Sequence, residues 1–309
     1  MKAFREWSVA GAFGVLLVVL AIVAPSFFQF QPLLSLAARE APSLIVTGGM
    51  ALIILSRQID ISVGSQFALC GVTAGLLAGQ NLPLPVVALA CILAGAVLGA
   101  LNGVLVAALG LPSIVVTLAT MVAWREGLRW WRQGQFVDLP DGLQWLGMPQ
   151  QTGQAFVIVV ALVIFCALAV ALRKIALGRF VYAVGSDEEA ARLAGLRPRL
   201  VTFGVFVTMG ALTGLAAMLN AIQSPQVDPK SGTGLELRAI AAVVVGGVAI
   251  SGGRGSLWGV LAGALLLACI APALTHLHVE AYWSRAIEGS IILLAVVADG
   301  IRQRKVATK

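Results

Sequence analysis

Asp60 closes the stretch Ser56-Arg57-Gln58-Ile59-Asp60, between two long apolar runs. An ionisable side chain set into membrane sequence is costly and by default a functional suspect. If the segment Ala41 to Gly79 divides evenly, Asp60 sits in a solvated turn beside Arg57. If the helix before it breaks near Gly48-Gly49, Asp60 lies deeper and faces a transport path; the turn is the favoured position. Ser62, Ser65 and Asn102 carry hydroxyl and amide groups that could line a path for a polar solute, because a path that binds tightly cannot release. Capping or interhelical hydrogen bonds would account for them equally well. Arg125, Glu126 and Arg129 stand at helical spacing, either as an interfacial ion pair or as receivers of a hydroxyl-rich ligand or docking protein. The stretch Asp187 to Leu196 reads as a short helix. Ser186 can cap it, Glu188 and Glu189 occupy its first turn, Arg192 follows and Gly195 ends it. It is either a solvated connector or a helix that presses into a groove on another protein.

Other chemistries lack their residues. A P-loop needs G-x-x-x-x-G-K-[ST], and the only Lys followed by Ser or Thr is Lys230, which Pro229 precedes. Gly252-Gly253-Arg254-Gly255 departs from G-x-G-x-x-G after Gly255. His276 and His278 have neither a nearby Cys nor a metalloprotease pattern, and Cys70, Cys91, Cys166 and Cys269 sit in apolar runs as packing residues. The expectation is a chain with no catalytic residue, no metal and no cofactor of its own.

The elements that must position these residues are membrane helices. Of 309 residues 59% are hydrophobic and 11% charged, against roughly 45–50% and roughly 25% in soluble domains. Ile61 to Trp124 contains no Lys, Arg, Asp or Glu, and a crossing needs only about 20 apolar residues. The uncharged run Trp7 to Ala38, which Pro25 divides, lacks a clear cleavage site and reads as a retained helix rather than a signal peptide. Ala41 to Gly79 holds two crossings. Further spans run from Pro85 to Ala108, Ser113 to about Trp130, Ala155 to Leu172, Leu200 to Ile222, Arg238 to Ile250, Ser256 to Pro272 and about Tyr282 to Ala298. That makes about ten. With the N-terminus inside, the inner ends hold about twice as many Lys and Arg as the outer ends, so both termini, the charged stretch Arg173 to Arg199 and the tail after Asp299 are cytoplasmic. Gln133 to Gln154 and Gln223 to Glu236 are then outer loops. The formal charge of +7 is thereby topological and implies no nucleic acid. Gly71, Gly75 and Gly79, Gly95, Gly99 and Gly103, and Gly255, Gly259 and Gly263 each fall on one helix face, where backbones can approach closely or slide.

Four ordered motifs resemble the ribose-type permeases of bacterial ABC sugar importers. They are Gly48 to Ser65, with Ile59-Asp60-Ile61-Ser62-Val63-Gly64-Ser65 at its end; Leu101-Asn102-Gly103-Val104-Leu105-Val106; Ala183 to Leu196; and Gly232-Thr233-Gly234-Leu235-Glu236-Leu237-Arg238, which leads to Gly246-Gly247 and Ser251-Gly252-Gly253-Arg254-Gly255-Ser256. The likeness spans about residues 40 to 300. Where the common form has two glycines before Ile-Asp, this chain has Arg57 and Gln58, which is similar to the rhamnose and autoinducer-2 branches, as are Trp124 to Trp130 and Ala281-Tyr282-Trp283-Ser284.

The resemblance implies an all-α polytopic membrane protein of about ten helices, similar to type II ABC importer permeases, with residues 1–309 forming one inner-membrane domain. It implies that residues 173–199 are a coupling loop in which Glu188, Glu189, Ala190, Ala191, Arg192 and Gly195 meet an ABC ATPase subunit. That subunit would bind ATP and Mg, a periplasmic sugar-binding protein would deliver the solute, and a second permease, identical or not, would complete the channel. Asp60, Ser62, Ser65 and Asn102 are the candidate pathway residues. The solute would be a monosaccharide, rhamnose or a similar sugar, or autoinducer-2. An ion-coupled or facilitative transporter, with Asp60 as proton carrier, is the alternative; no span has an acid clearly at mid-depth to favour it.

Overall fold

In the computed structural model of the protein, residues 2–276 and the isolated positions 283, 286, 287, 289, 290 and 293 are described. The helices are α1 (Lys2–Val23), α2 (Phe30–Leu55), α3 (Val63–Ala78), α4 (Leu84–Gly103), α5 (Ser113–Arg132), α6 (Gln150–Lys174), α7 (Ala176–Ser186), α8 (Glu188–Leu193), α9 (Pro198–Ala221), α10 (Leu235–Val245) and α11 (Leu257–His276). Prolines open several of them. Pro198 is the first residue of α9, and Pro83, Pro112 and Pro149 directly precede α4, α5 and α6, where a missing N–H has no helical partner to lose.

Among the described residues, five helical stretches are long and apolar enough to cross a bilayer: Phe30–Leu55, Leu84–Ala108, Gln150–Lys174, Pro198–Ala221 and Leu257–Thr275. They match five of the expected crossings. In α1 the apolar part is Phe13–Val23, α3 has 16 residues, α10 has 11, and α5 carries Arg125, Glu126, Arg129 and Arg132. The fold is thus polytopic and helical, while the expected count of ten is not established. The expected last span, His278 and the basic tail fall almost wholly outside the described residues.

Close packing follows the glycines. On α4, Leu89, Leu93, Val97 and Leu101 point outward, as suits lipid, while Gly95 and Gly99 turn toward α9. A Cβ on Gly95 would land on the carbonyl of Gly210, one on Gly210 would land on that of Gly95, and one on Gly214 would land on that of Cys91. The two backbones therefore touch, as expected where small residues rather than hydrophobic drive hold helices together. Helix α2 is the centre of the bundle, with every residue from Ile45 to Leu55 buried. It runs unbroken through Gly48 and Gly49, which face Phe165 and Leu168 of α6 and Met209 and Leu212 of α9 respectively. The expected alternative of a break at this pair is not what the glycines do.

Two departures from the expected loops matter for function. Arg173 to Arg199 is mostly helical, as α7 and α8. The other departure concerns the expected outer loops, which form a small ribbon, β1 (Val137–Asp138) with β2 (Gln226–Val227), antiparallel with Val137 opposite Val227. Val137 packs on Gly75 and Val227 on Gly71, so the glycine stripe of α3 receives this ribbon rather than another helix. The chain then continues along α3, placing Gly232 and Glu236 against Gly64. From Gly75 to Gly64 is about 16 Å along the helix axis. Residues 228–236 are therefore a segment that dips into the bundle, and α10 is a short helix that starts at depth.

Candidate functional site

The helix expected at Asp187 to Leu196 is present as α8. Asp187, rather than Ser186, is its cap: with extended backbone (φ −161°, ψ 107°) it accepts a hydrogen bond from the Ala190 N–H at 3.0 Å. Ser186 is the last residue of α7, and its hydroxyl faces the Gly253 carbonyl at 3.5 Å. Glu188 and Glu189 occupy the first turn, and the Arg192 guanidinium meets Glu189 at 2.7 Å. That hydrogen bond raises the Arg192 pKa further. Gly195 ends the helix at φ 84°, its N–H bonded to the Arg192 carbonyl at 3.0 Å and that of Leu196 to Ala191 at 3.1 Å.

The six candidate residues of this helix do not share one face. Glu188, Glu189, Ala190, Arg192 and Gly195 are exposed, whereas Ala191 is 5% exposed and packs inward. Leu193, at 80% exposure, is the apolar side chain that α8 presents outward. The sequence analysis passed over it; its signal was an apolar residue in a six-residue helix otherwise made of Glu, Ala and Arg.

Backbone contacts mount α7 and α8 on the bundle. Gly185 lies so close to α2 that a Cβ would strike the Leu55 carbonyl, and the same carbonyl accepts the Gly253 N–H at 2.9 Å. Gly252 (φ 80°) packs on Arg57, and the Tyr182 hydroxyl donates to the Gly255 carbonyl at 3.1 Å.

Asp60 lies a few residues beyond Leu55 and is 0% exposed, so the expected solvated turn is not observed. Its Oδ1 accepts from the Ser62 N–H (2.9 Å) and hydroxyl (2.6 Å), and Oδ2 from Gln66 Nε2 (3.3 Å). Asn102 donates to the Ser62 hydroxyl at 2.8 Å and accepts from Thr120 at 3.0 Å, while the Ser65 hydroxyl returns to the Ser62 carbonyl at 2.7 Å. Ile59 is tied to α5 by its N–H to Ser113 Oγ (3.2 Å) and its carbonyl to Thr117 (3.4 Å). The four candidate pathway residues are thus brought together, all buried and bonded to one another. They join the α2–α3 connection to α4 and α5. Gln66 and Thr120 complete this network; their polar side chains within apolar helices were the available signal.

Arg129 pairs with Glu126 at 3.0 Å on the exposed side of α5, while Arg125 turns inward and donates to the Ser231 carbonyl at 3.1 Å. The expected common role of the two arginines does not hold geometrically.

Residues 33–296, which include α8, the Asp60 network and the dipping segment, match the family described as "Branched-chain amino acid transport system / permease component". The chain belongs to this permease family. Among curated relatives, the permease is 36% identical to the "Autoinducer 2 import system permease protein LsrC" of Escherichia coli (strain K12 / DH10B) over 292 residues, 93% of this chain and 85% of that protein. It is 35% identical to the protein of that name from Salmonella typhi over 297 residues, 96% and 86% of the two chains. Against that of Salmonella paratyphi B (strain ATCC BAA-1250 / SPB7) identity is 37% over 258 residues, 83% and 75%. No solved structure matches the permease.

Proposed function

We propose that this permease is the membrane-spanning subunit of a bacterial ABC importer that moves autoinducer-2 or a monosaccharide such as rhamnose, driven by ATP hydrolysed on a separate subunit. The observation that carries the reading is α8, a capped helix that offers Leu193 and charged side chains outward while Ala191 and the Gly185–Leu55 contact hold it to the bundle. Such a short, rigidly mounted helix suits a groove on a partner, with Leu193 as apolar anchor and Glu188, Glu189 and Arg192 as its charged rim. The names of the relatives supply the solute class. ATP and Mg would belong to the ATPase, and this chain would hold no cofactor. A solute-binding protein would deliver at the ribbon end, and a second permease would complete the channel.

In this reading residues 1–309 form one domain with both termini and the 173–199 segment on the cytoplasmic side. Labelling of Ser186→Cys by an impermeant thiol reagent only from that side checks the orientation. The function is tested by reconstituting the permease with the ATPase and binding protein encoded beside it. Uptake of radiolabelled autoinducer-2, L-rhamnose or D-ribose should require ATP. Uptake by the permease alone, without ATPase, would establish the ion-coupled or facilitative alternative.

A further inference from the structure

Where the dipping segment meets α3, two polar side chains converge on Gly64, and a third, the Ser231 hydroxyl, faces Gly71 two turns further along the helix. Gly64, the second residue of α3, has the Gly232 carbonyl and Glu236 Oε2 in the space a Cβ would need, with Arg125 Nη2 3.2 Å from that Cβ position. Glu236 Oε1 accepts from the Gly234 N–H at 3.3 Å, so one carboxylate oxygen caps α10 and the other points at Gly64. Arg125 spends one N–H on the Ser231 carbonyl. Glu236 Oε2 and the Ser231 hydroxyl are buried and have no hydrogen-bond partner among the described residues.

Polar atoms closed off from solvent without partners are destabilising, and a folded protein retains few of them. Apolar side chains here would pack without that cost. Retaining an acid, a base and a hydroxyl at the meeting of two short helices therefore points to a ligand that uses them, as at the sites that discontinuous membrane helices build. Arg125 is offset by Glu236, and Asp228 and Glu126 stand close enough to act on it as well, so the cluster disfavours an anionic ligand. Its atoms complement a hydroxylated one: Glu236 Oε2 accepts a hydroxyl proton, the remaining Arg125 N–H groups donate to hydroxyl oxygens, and Ser231 does either.

We propose that Arg125 and Glu236 at Gly64, with Ser231 further along α3 at Gly71, line the stretch at which an uncharged, polyhydroxylated solute is held during its passage, reached when residues 228–236 part from α3. This rests on the importer reading above and gives that passage a location outside the Asp60 network. Because the binding protein sets the apparent affinity for solute, a passage residue shows itself in solute moved per ATP hydrolysed.

The test uses the reconstituted complex with radiolabelled autoinducer-2, L-rhamnose and D-ribose as probes. Glu236→Gln should lower the solute-to-ATP ratio about tenfold and Ser231→Ala severalfold, while stimulated ATPase activity stays within about twofold of wild type. Gly204→Ala on α9, where the new methyl meets nothing within 4 Å, should leave both unchanged. In assembled complexes a purely structural role would lower ATPase activity in step with transport, and would overturn the proposal, as would an unchanged ratio in both variants. Should Glu236→Gln fail to assemble, Ser231→Cys in a Cys166→Ala background answers the same question by thiol labelling during turnover: slower labelling with the transported probe supports the site, and equal labelling removes it. If the wild-type complex moves none of the probes, the importer reading itself fails.

Discussion

Asn102 donates to Ser62 and accepts from Thr120, and Ser62 in turn bonds Asp60, so one amide links α4, α5 and the α2–α3 connection. In an interior without water, each member of such a network depends on the others for its partners. Asn102→Ala would remove two hydrogen bonds, leaving Thr120 its contact with the Thr117 carbonyl and Ser62 its bonds to Gln66 and Asp60, a loss of about 0.5–1.5 kcal/mol for each bond. Its expected effect is a lower unfolding midpoint of the purified permease in detergent, with transport per folded molecule retained. Lost transport at unchanged midpoint would instead put Asn102 on the solute's route. The types of these residues were legible in the sequence, but their burial was not. Whether Ser62, Ser65 and Asn102 bond to solute or to one another depends on how the segment after Leu55 folds back, which no local pattern encodes.

Among the elements, α8 was the most legible because its signals are local: acids in the first turn and a glycine at the end, which the structure places at φ 84°. The capping residue shifted by one, since Ser186 completes α7, a helix that the density of charge had disguised as loop. The dipping segment was illegible for the opposite reason. Pro225, Pro229, Gly232 and Gly234 are what a surface loop would carry, and only the side-chain-free face of α3 lets the segment pack at depth. At the scale of α8, Leu193→Ser should leave the fold of the permease unaffected, because the side chain is 80% exposed. ATPase stimulation by loaded binding protein should fall about tenfold, as expected for an anchor in a partner's pocket. Gly195→Val should act alike for a different reason, since a β-branched residue at positive φ is strained by about 1–3 kcal/mol and would redirect the chain leaving the helix. ATPase assays on both variants with and without loaded binding protein check this; full stimulation in both would make α8 a connector.

Across the molecule, the α2–α3 connection touches both the mount of α8 and the Arg125–Glu236 cluster. Leu55 is gripped by Gly185 and Gly253; Ile59 bonds to α5, Asp60 to α3 and Ser62 to α4; Gly64 meets Glu236. A push on α8 therefore meets backbone at Leu55 rather than compliant side chains, and what moves Leu55 must strain the Asp60 network or carry α3 with it. Spatial continuity alone does not demonstrate coupling. The contact that the route cannot do without is Gly185 on the Leu55 carbonyl. In Gly185→Ala the new methyl would strike that carbonyl and force α7 away from α2, whereas Gly204→Ala on α9 meets nothing within 4 Å and serves as the neutral comparison. The expected result for Gly185→Ala is an assembled complex with basal ATPase activity intact, and a fall of about tenfold in solute moved per ATP, as for an interaction that acts only in the productive transition. An unaltered ratio in a stably assembled Gly185→Ala complex would show that motion at α8 reaches the passage by another route.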